Sequence, residues 1–108
     1  MAEPDPGGPD RRRTARAPRQ WPVEIRSPSG RTCRGTSIDI STTGMRVRVD
    51  RPLPSGDMFL SFDPGDKVGP FWTRFAIVRE IVPRTEYAIR FLDLPPLNVE
   101  RLARLVAS

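Results

Sequence analysis

Histidine is absent from the chain, and cysteine occurs once, at Cys33. Without histidine there is no Ser–His–Asp or Cys–His relay and no imidazole-bound metal. A single thiol forms neither an intramolecular disulfide nor a thiolate metal cluster. No apolar run approaches the ~20 residues that a bilayer-spanning helix requires. The first residues, Met1–Asp10, are acidic and rich in proline and glycine, unlike a secretory leader. These absences predict a cytoplasmic protein that inserts in no membrane, holds no metal or cofactor, and is not an enzyme. Cys33 falls in a strand-like stretch, which predicts a small buried side chain rather than a reactive thiol.

What the chain does contain is enough for one folded domain. Its 108 residues are 37% hydrophobic and 29% charged, a balance that suits a small core under a polar surface. The formal charge is +5, and it is not evenly spread. Arg11, Arg12, Arg13, Arg16 and Arg19 fall within nine residues that contain no acid. Set aside these five, and the other basic and acidic side chains balance. Lys67 is the lone lysine; every other basic side chain is arginine. A guanidinium grips phosphate or a guanine edge with two parallel hydrogen bonds, which an ammonium cannot do.

Three segments are expected: a tail over 1–10, a basic arm over 11–20, and a domain over 21–108. The tail has the composition of a disordered segment, and Pro18 prevents a continuous helix through the arm. From Trp21 onward the pattern has period two. Trp21, Val23 and Ile25 alternate with Glu24 and Arg26, and Ser27-Pro28-Ser29-Gly30 turns the chain back. Further strands are predicted over Thr32–Ile40 with Ile38 and Ile40 on one face, from Met45 to Val49, over Asp57–Phe62, over Phe71–Val82 with Phe71, Phe75, Ile77 and Ile81 inward, and over Glu86–Phe91. After Pro95-Pro96 the period changes. Asn98 reads as an N-cap for a helix of about ten residues carrying Val99, Leu102, Leu105 and Val106. The expected fold is all-β: a small antiparallel barrel of about six strands, one C-terminal helix and a flexible N-terminal arm.

Two motifs stand out. The arm contains Arg12-x-x-x-Arg16, and a strand end contains Asp39-x-Ser41-x-x-Gly44. The plain alternative for the second is a simple turn, with Asp39 and Ser41 bonding local backbone and Gly44 supplying a positive φ. Together, in this order and on either side of a hairpin, they resemble the PilZ domain, the bacterial receptor for cyclic di-GMP. The resemblance extends to Trp21–Ile25, to Asp39–Val49, to Tyr87–Asp93 and to the final helix, with Ala88 where glycine is frequent. It implies a cyclic di-GMP site made by Arg12, Arg16, Asp39, Ser41 and Gly44, with Arg11 and Arg13 as supporting cations. The chemistry agrees: guanine O6 and N7 accept from a guanidinium fork, and guanine N1–H and N2–H donate to a carboxylate. The implied function is that of an adaptor whose arginine arm changes conformation on binding and signals to a downstream protein controlling motility, polysaccharide synthesis or a related output.

Two other readings fit part of the pattern. A basic-armed β-barrel can bind nucleic acid, but the chain outside Arg11–Arg19 carries no net charge, and Phe75 and Phe91 fall on core parities. A nucleotide-independent module acting through protein contacts alone would not need both motifs, and both are intact.

Overall fold

Alternating apolar and polar side chains build seven strands here, and one stretch of helical spacing builds a helix. The computed structural model describes residues 16–53 and 57–107. In chain order the elements are β1 Ala17–Pro18, β2 Pro22–Arg26, β3 Thr32–Ile40, β4 Gly44–Val49, β5 Met58–Phe62, β6 Phe71–Val82, β7 Glu86–Leu92 and α1 Pro96–Ala107. All pairings are antiparallel, in the order β3-β2-β5-β6-β7-β4, and β4 pairs back onto β3 from Gly35↔Val49 to Ile40↔Met45. The result is the expected closed barrel of six strands with one C-terminal helix. Closure removes the exposed sheet edges that so short a chain could not otherwise cover.

Inward positions supply the core: Val23 and Ile25, Met45 and Val47, Met58 and Leu60, Phe71 and Phe75, Ile89 and Phe91. Cys33 is buried among them. Burying each such side chain contributes about 1.5–3 kcal/mol. An aromatic row runs along one end. Trp21 stacks on Phe62 at 5.3 Å, Phe62 on Phe71 at 5.2 Å, and Phe71 meets Phe91 at 6.1 Å. The helix joins this core through Leu102 and Leu105. Its Arg101 is buried too, with the guanidinium over the Phe71 ring and two hydrogen bonds of 2.9 and 2.7 Å to Asp66.

The helix differs from the prediction in start and face. It begins at Pro96 rather than after an Asn98 cap, and the Pro95 carbonyl accepts from the N–H groups of Asn98 and Val99 at 2.9 and 3.1 Å. Proline lacks the N–H that a first-turn residue leaves unpaired, so it opens a helix without loss. Arg101 drawn in by Asp66 turns the buried face to Arg101, Leu102 and Leu105, and Val99 is left exposed.

Strand parity also departs from the prediction, at two bulges. In β3 the register shifts between Ser37 and Asp39. Ser37 and Ile40 are fully buried, while Ile38 is only half-buried, so Ile38 and Ile40 do not share one face. In β6 the register shifts between Ile77 and Arg79 and again between Glu80 and Val82. Phe71, Thr73 and Phe75 point inward as a set, but Ile77 is exposed and Ile81 only half-buried. The far half of β6 therefore loses its inward alternation, while Tyr87 and Ile89 on its partner β7 stay buried in the core.

The expected arm is described only from residue 16 onward. Residues 1–10 and Arg11, Arg12 and Arg13 lie outside the described residues. From residue 16 to residue 20, however, the chain is not a separate arm. Ala17 and Pro18 form β1, paired with Ile40 and Asp39 on β3. Pro18 is tolerated because β1 is an edge strand with no need of its missing donor. Ser37 secures the stretch between β1 and β2. Its buried hydroxyl donates to the Arg19 carbonyl and accepts from the Trp21 N–H at 2.8 Å, and its own N–H donates to the Trp21 carbonyl at 2.9 Å. The Arg19 guanidinium donates to the Leu105 carbonyl at 3.2 Å, which ties this segment to the end of α1.

Candidate functional site

The β3 bulge decides where Asp39 points. Side chains alternate across a strand, so an unbroken β3 would give Asp39 the inward parity of Ser37. One extra residue at Ile38 resets the alternation and turns the carboxylate outward beside β1. There it meets Arg16. The Arg16 Nε and Nη2 both donate to Asp39 Oδ1, at 2.9 and 2.6 Å. Residues 23 apart in the chain are thus in direct contact, and each belongs to one of the two motifs.

The rest of the second motif shapes the turn after β3. Ser41 is fully buried, so the polar contact expected of it is not on the surface. Its Oγ instead accepts from the N–H groups of Thr43 and Gly44 at 3.2 and 3.1 Å, and its N–H donates to the Gly44 carbonyl at 2.9 Å. A hydroxyl that satisfies two backbone donors fixes a tight turn. Gly44 does not have the positive φ that a simple turn would predict; among the described residues the glycines that do are Gly30, Gly65 and Gly69. It is glycine because β7 passes so close: a Cβ there would sit 2.1 Å from the Ile89 carbonyl oxygen.

A charge network continues across the outer face of the barrel. Asp39 Oδ2 lies 3.8 Å from Arg46 Nη1. Arg46 also donates to Glu86 at 2.9 Å, and Arg48 donates to the other oxygen of Glu86 at 3.2 Å. The hydrogen bond from Arg46 holds the Glu86 carboxyl below the usual carboxylate range; burial opposes this, and Arg48 reinforces it. Arginine at one end, then carboxylate and arginine in alternation, defines the position of the Asp39 side chain.

Next to this network lies a shallow cavity of about 350 Å³. Arg16, Thr43 and Gly44 line it together with Val78 and Arg79 from β6 and Ala88, Ile89 and Arg90 from β7. Strand register explains the shape. Asp39 pairs with Arg46, Arg46 with Ala88, and Ala88 with Arg79; Gly44 pairs with Arg90, and Arg90 with Ala76. Ala88 gives the cavity a low floor beside Arg79, and in the next row Arg90 stands between Gly44 and Ala76. Another recess of about 340 Å³ has Glu24 and Asp63 beside Arg34 and suits an anion less well.

Of the residues predicted from sequence, Arg16, Asp39, Ser41 and Gly44 fall at one place, while Arg11, Arg12 and Arg13 lie outside the described residues. Sequence reasoning missed Ser37, Arg46, Glu86, Val78, Arg79 and Arg90. Arg46 was legible as an outward residue of an alternating strand, but its partner Glu86 is 40 residues away. Among the described residues, no group of three metal-ligating side chains occurs, and no helix is long and apolar enough to cross a membrane.

A family model described as the PilZ domain matches residues 10–108. No curated protein matches the sequence. Among solved structures, the PilZ domain of YcgR from Escherichia coli with c-di-GMP is similar at a TM-score of 0.70 and 19% identity, over 90% of this chain and 89% of that one. YcgR from Escherichia coli in complex with c-di-GMP aligns at 0.71 and 22% identity, over 90% of this chain and 45% of that one. The inhibitor of motility of Bacillus subtilis (MotI/DgrA) aligns at 0.71 and 15% identity, over 90% of this chain and 49% of that one.

Proposed function

This chain belongs to the PilZ domain family, and on that premise we propose that it is a cyclic di-GMP receptor that passes the signal to a partner protein. The observation that carries the reading is the Arg16–Asp39 contact at the cavity edge, which unites the arm motif with the turn motif. Two structural neighbours are complexes with c-di-GMP, which supports the choice of ligand.

The roles follow from donor and acceptor chemistry. Arg12 and Arg16 grip guanine O6/N7 and phosphate, and Asp39 accepts from guanine N1–H and N2–H. Ser41 and Gly44 act by holding the turn that presents this surface, and Arg11 and Arg13 add positive charge. Arg16 must divide its hydrogen bonds between Asp39 and the ligand, so binding rearranges the arginine arm starting at Arg16. The segment from Ala17 to Trp21 is already fastened to β3, which makes it the fixed base of that movement. The changed arm then presents or hides a surface for the downstream protein.

Calorimetric titration with cyclic di-GMP, GTP and cyclic di-AMP tests this. Saturable binding of cyclic di-GMP in preference to the other two is expected. Absence of binding would overturn the proposal. Binding of a single-stranded oligonucleotide instead, with a steep salt dependence, would favour a nucleic-acid function.

A further inference from the structure

The motif residues line only part of the cavity. The rest of the lining comes from β6 and β7. Its Arg79 and Arg90 are exposed at the cavity, and neither has a hydrogen-bond or ion-pair partner among the described residues. Other outward arginines nearby differ: Arg46 and Arg48 meet Glu86, and Arg74 meets Asp93. A guanidinium with no carboxylate beside a recess is available to an anion.

The backbone places Arg79 there by the same device that places Asp39. Phe71, Thr73 and Phe75 set an inward parity on β6 that an unbroken strand would extend to Arg79. The bulge between Ile77 and Arg79 resets it, so that Arg79 pairs with the outward-facing Ala88. Val78, within the bulge, is 60% exposed and adds an apolar surface to the cavity. Two bulges, on β3 and β6, thus turn a charged residue outward at the two ends of one row, Asp39↔Arg46↔Ala88↔Arg79. Three inter-strand steps of about 4.8 Å separate the ends, about 14 Å along the sheet.

We propose that Arg79 and Arg90 form a second anion subsite, which takes the phosphodiester and guanine of the cyclic dinucleotide that lie far from Asp39, with Val78 against a base. This rests on the reading of the cavity as a cyclic di-GMP site. A mononucleotide is too short to reach from Asp39 to Arg79, so the subsite favours a ligand with two guanines and two phosphates.

Calorimetry on the full chain and on Arg79→Gln, Arg90→Gln and the double variant tests it, with cyclic di-GMP as the probe and thermal unfolding as control. Each single change is expected to weaken binding about tenfold, and the double change further, with unchanged melting temperatures because both side chains are exposed and have no partner among the described residues. Variants that titrate like wild type overturn the subsite and leave the receptor function standing. Weakened binding accompanied by a lowered melting temperature also overturns it, since the residues would then act through folding. Failure of the wild-type chain itself to bind overturns both.

Discussion

Gly44→Ala isolates what the second motif does for the scaffold from what it does for a ligand. The added Cβ would stand 2.1 Å from the Ile89 carbonyl oxygen, about 1.2 Å short of ordinary carbon–oxygen contact. The obstacle is backbone in a closed barrel, so no side chain can swing aside; β4 and β7 must separate. Overpacking of this kind costs about 1–3 kcal/mol. The displacement also stretches the bonds from Ser41 N–H to the Gly44 carbonyl and from Phe91 N–H to the Thr43 carbonyl, each worth about 1 kcal/mol. Alanine's smaller unfolded-state entropy offsets about 0.4–1 kcal/mol. The net is about 2–4 kcal/mol, which in a domain of this size lowers the melting temperature by roughly 10–20 °C. Differential scanning calorimetry without ligand measures it, with Gly65→Ala as reference. Gly65 has a positive φ but open space around it, so only about 1–2 kcal/mol of backbone strain is expected there. A Gly44→Ala melting temperature within about 2 °C of wild type would refute the reasoning and leave Gly44 with no scaffold role.

Three other outcomes rest on the same geometry. Arg16→Ala removes a forked contact worth about 1–3 kcal/mol and should weaken cyclic di-GMP binding about tenfold to a hundredfold; an unchanged calorimetric affinity would remove Arg16 from the site. Ser37→Ala strips the hydroxyl that ties Arg19 and Trp21 to β3, and should cost about 1–3 kcal/mol while also weakening binding through a loosened arm base; denaturant unfolding alongside titration shows whether the two losses occur together. Arg46 holds the carboxyl of Glu86, and Arg101 that of Asp66, below their ordinary range. A group whose pKa is lower in the folded state stabilises fully above its unfolded value and loses that contribution as pH falls through the folded one. Melting temperature should therefore drop in acid below about pH 4, and Glu86→Gln should flatten the profile; the same steepness in variant and wild type would contradict the assignment.

The barrel was legible because its strands bury one face each, and Val23 and Ile25 or Met45, Val47 and Val49 announce that face by simple alternation. The meeting of Arg16 with Asp39 was legible only through the paired motifs, since no local rule connects residues 23 apart. Both bulges were hidden by the same alternation that revealed the strands. Ile38 and Ile40, like Phe75 and Ile77, read as continuous apolar faces, and nothing local shows that one extra residue breaks them. Yet those breaks orient Asp39 and Arg79. Arg101 was missed for a different reason. An arginine in a helix reads as solvent-facing, and its burial depends on Asp66 and Phe71, which only the folded chain brings near.

Backbone amide shifts on addition of cyclic di-GMP to the isotopically labelled chain test the location of the site directly. The account predicts saturable changes that cluster at Arg16, from Asp39 to Gly44, at Val78 and Arg79, and from Ala88 to Arg90, with little change at Phe59 or Trp72 on the far side of the barrel. Changes centred on Phe59 and Trp72, or a spectrum indifferent to the ligand, would contradict it.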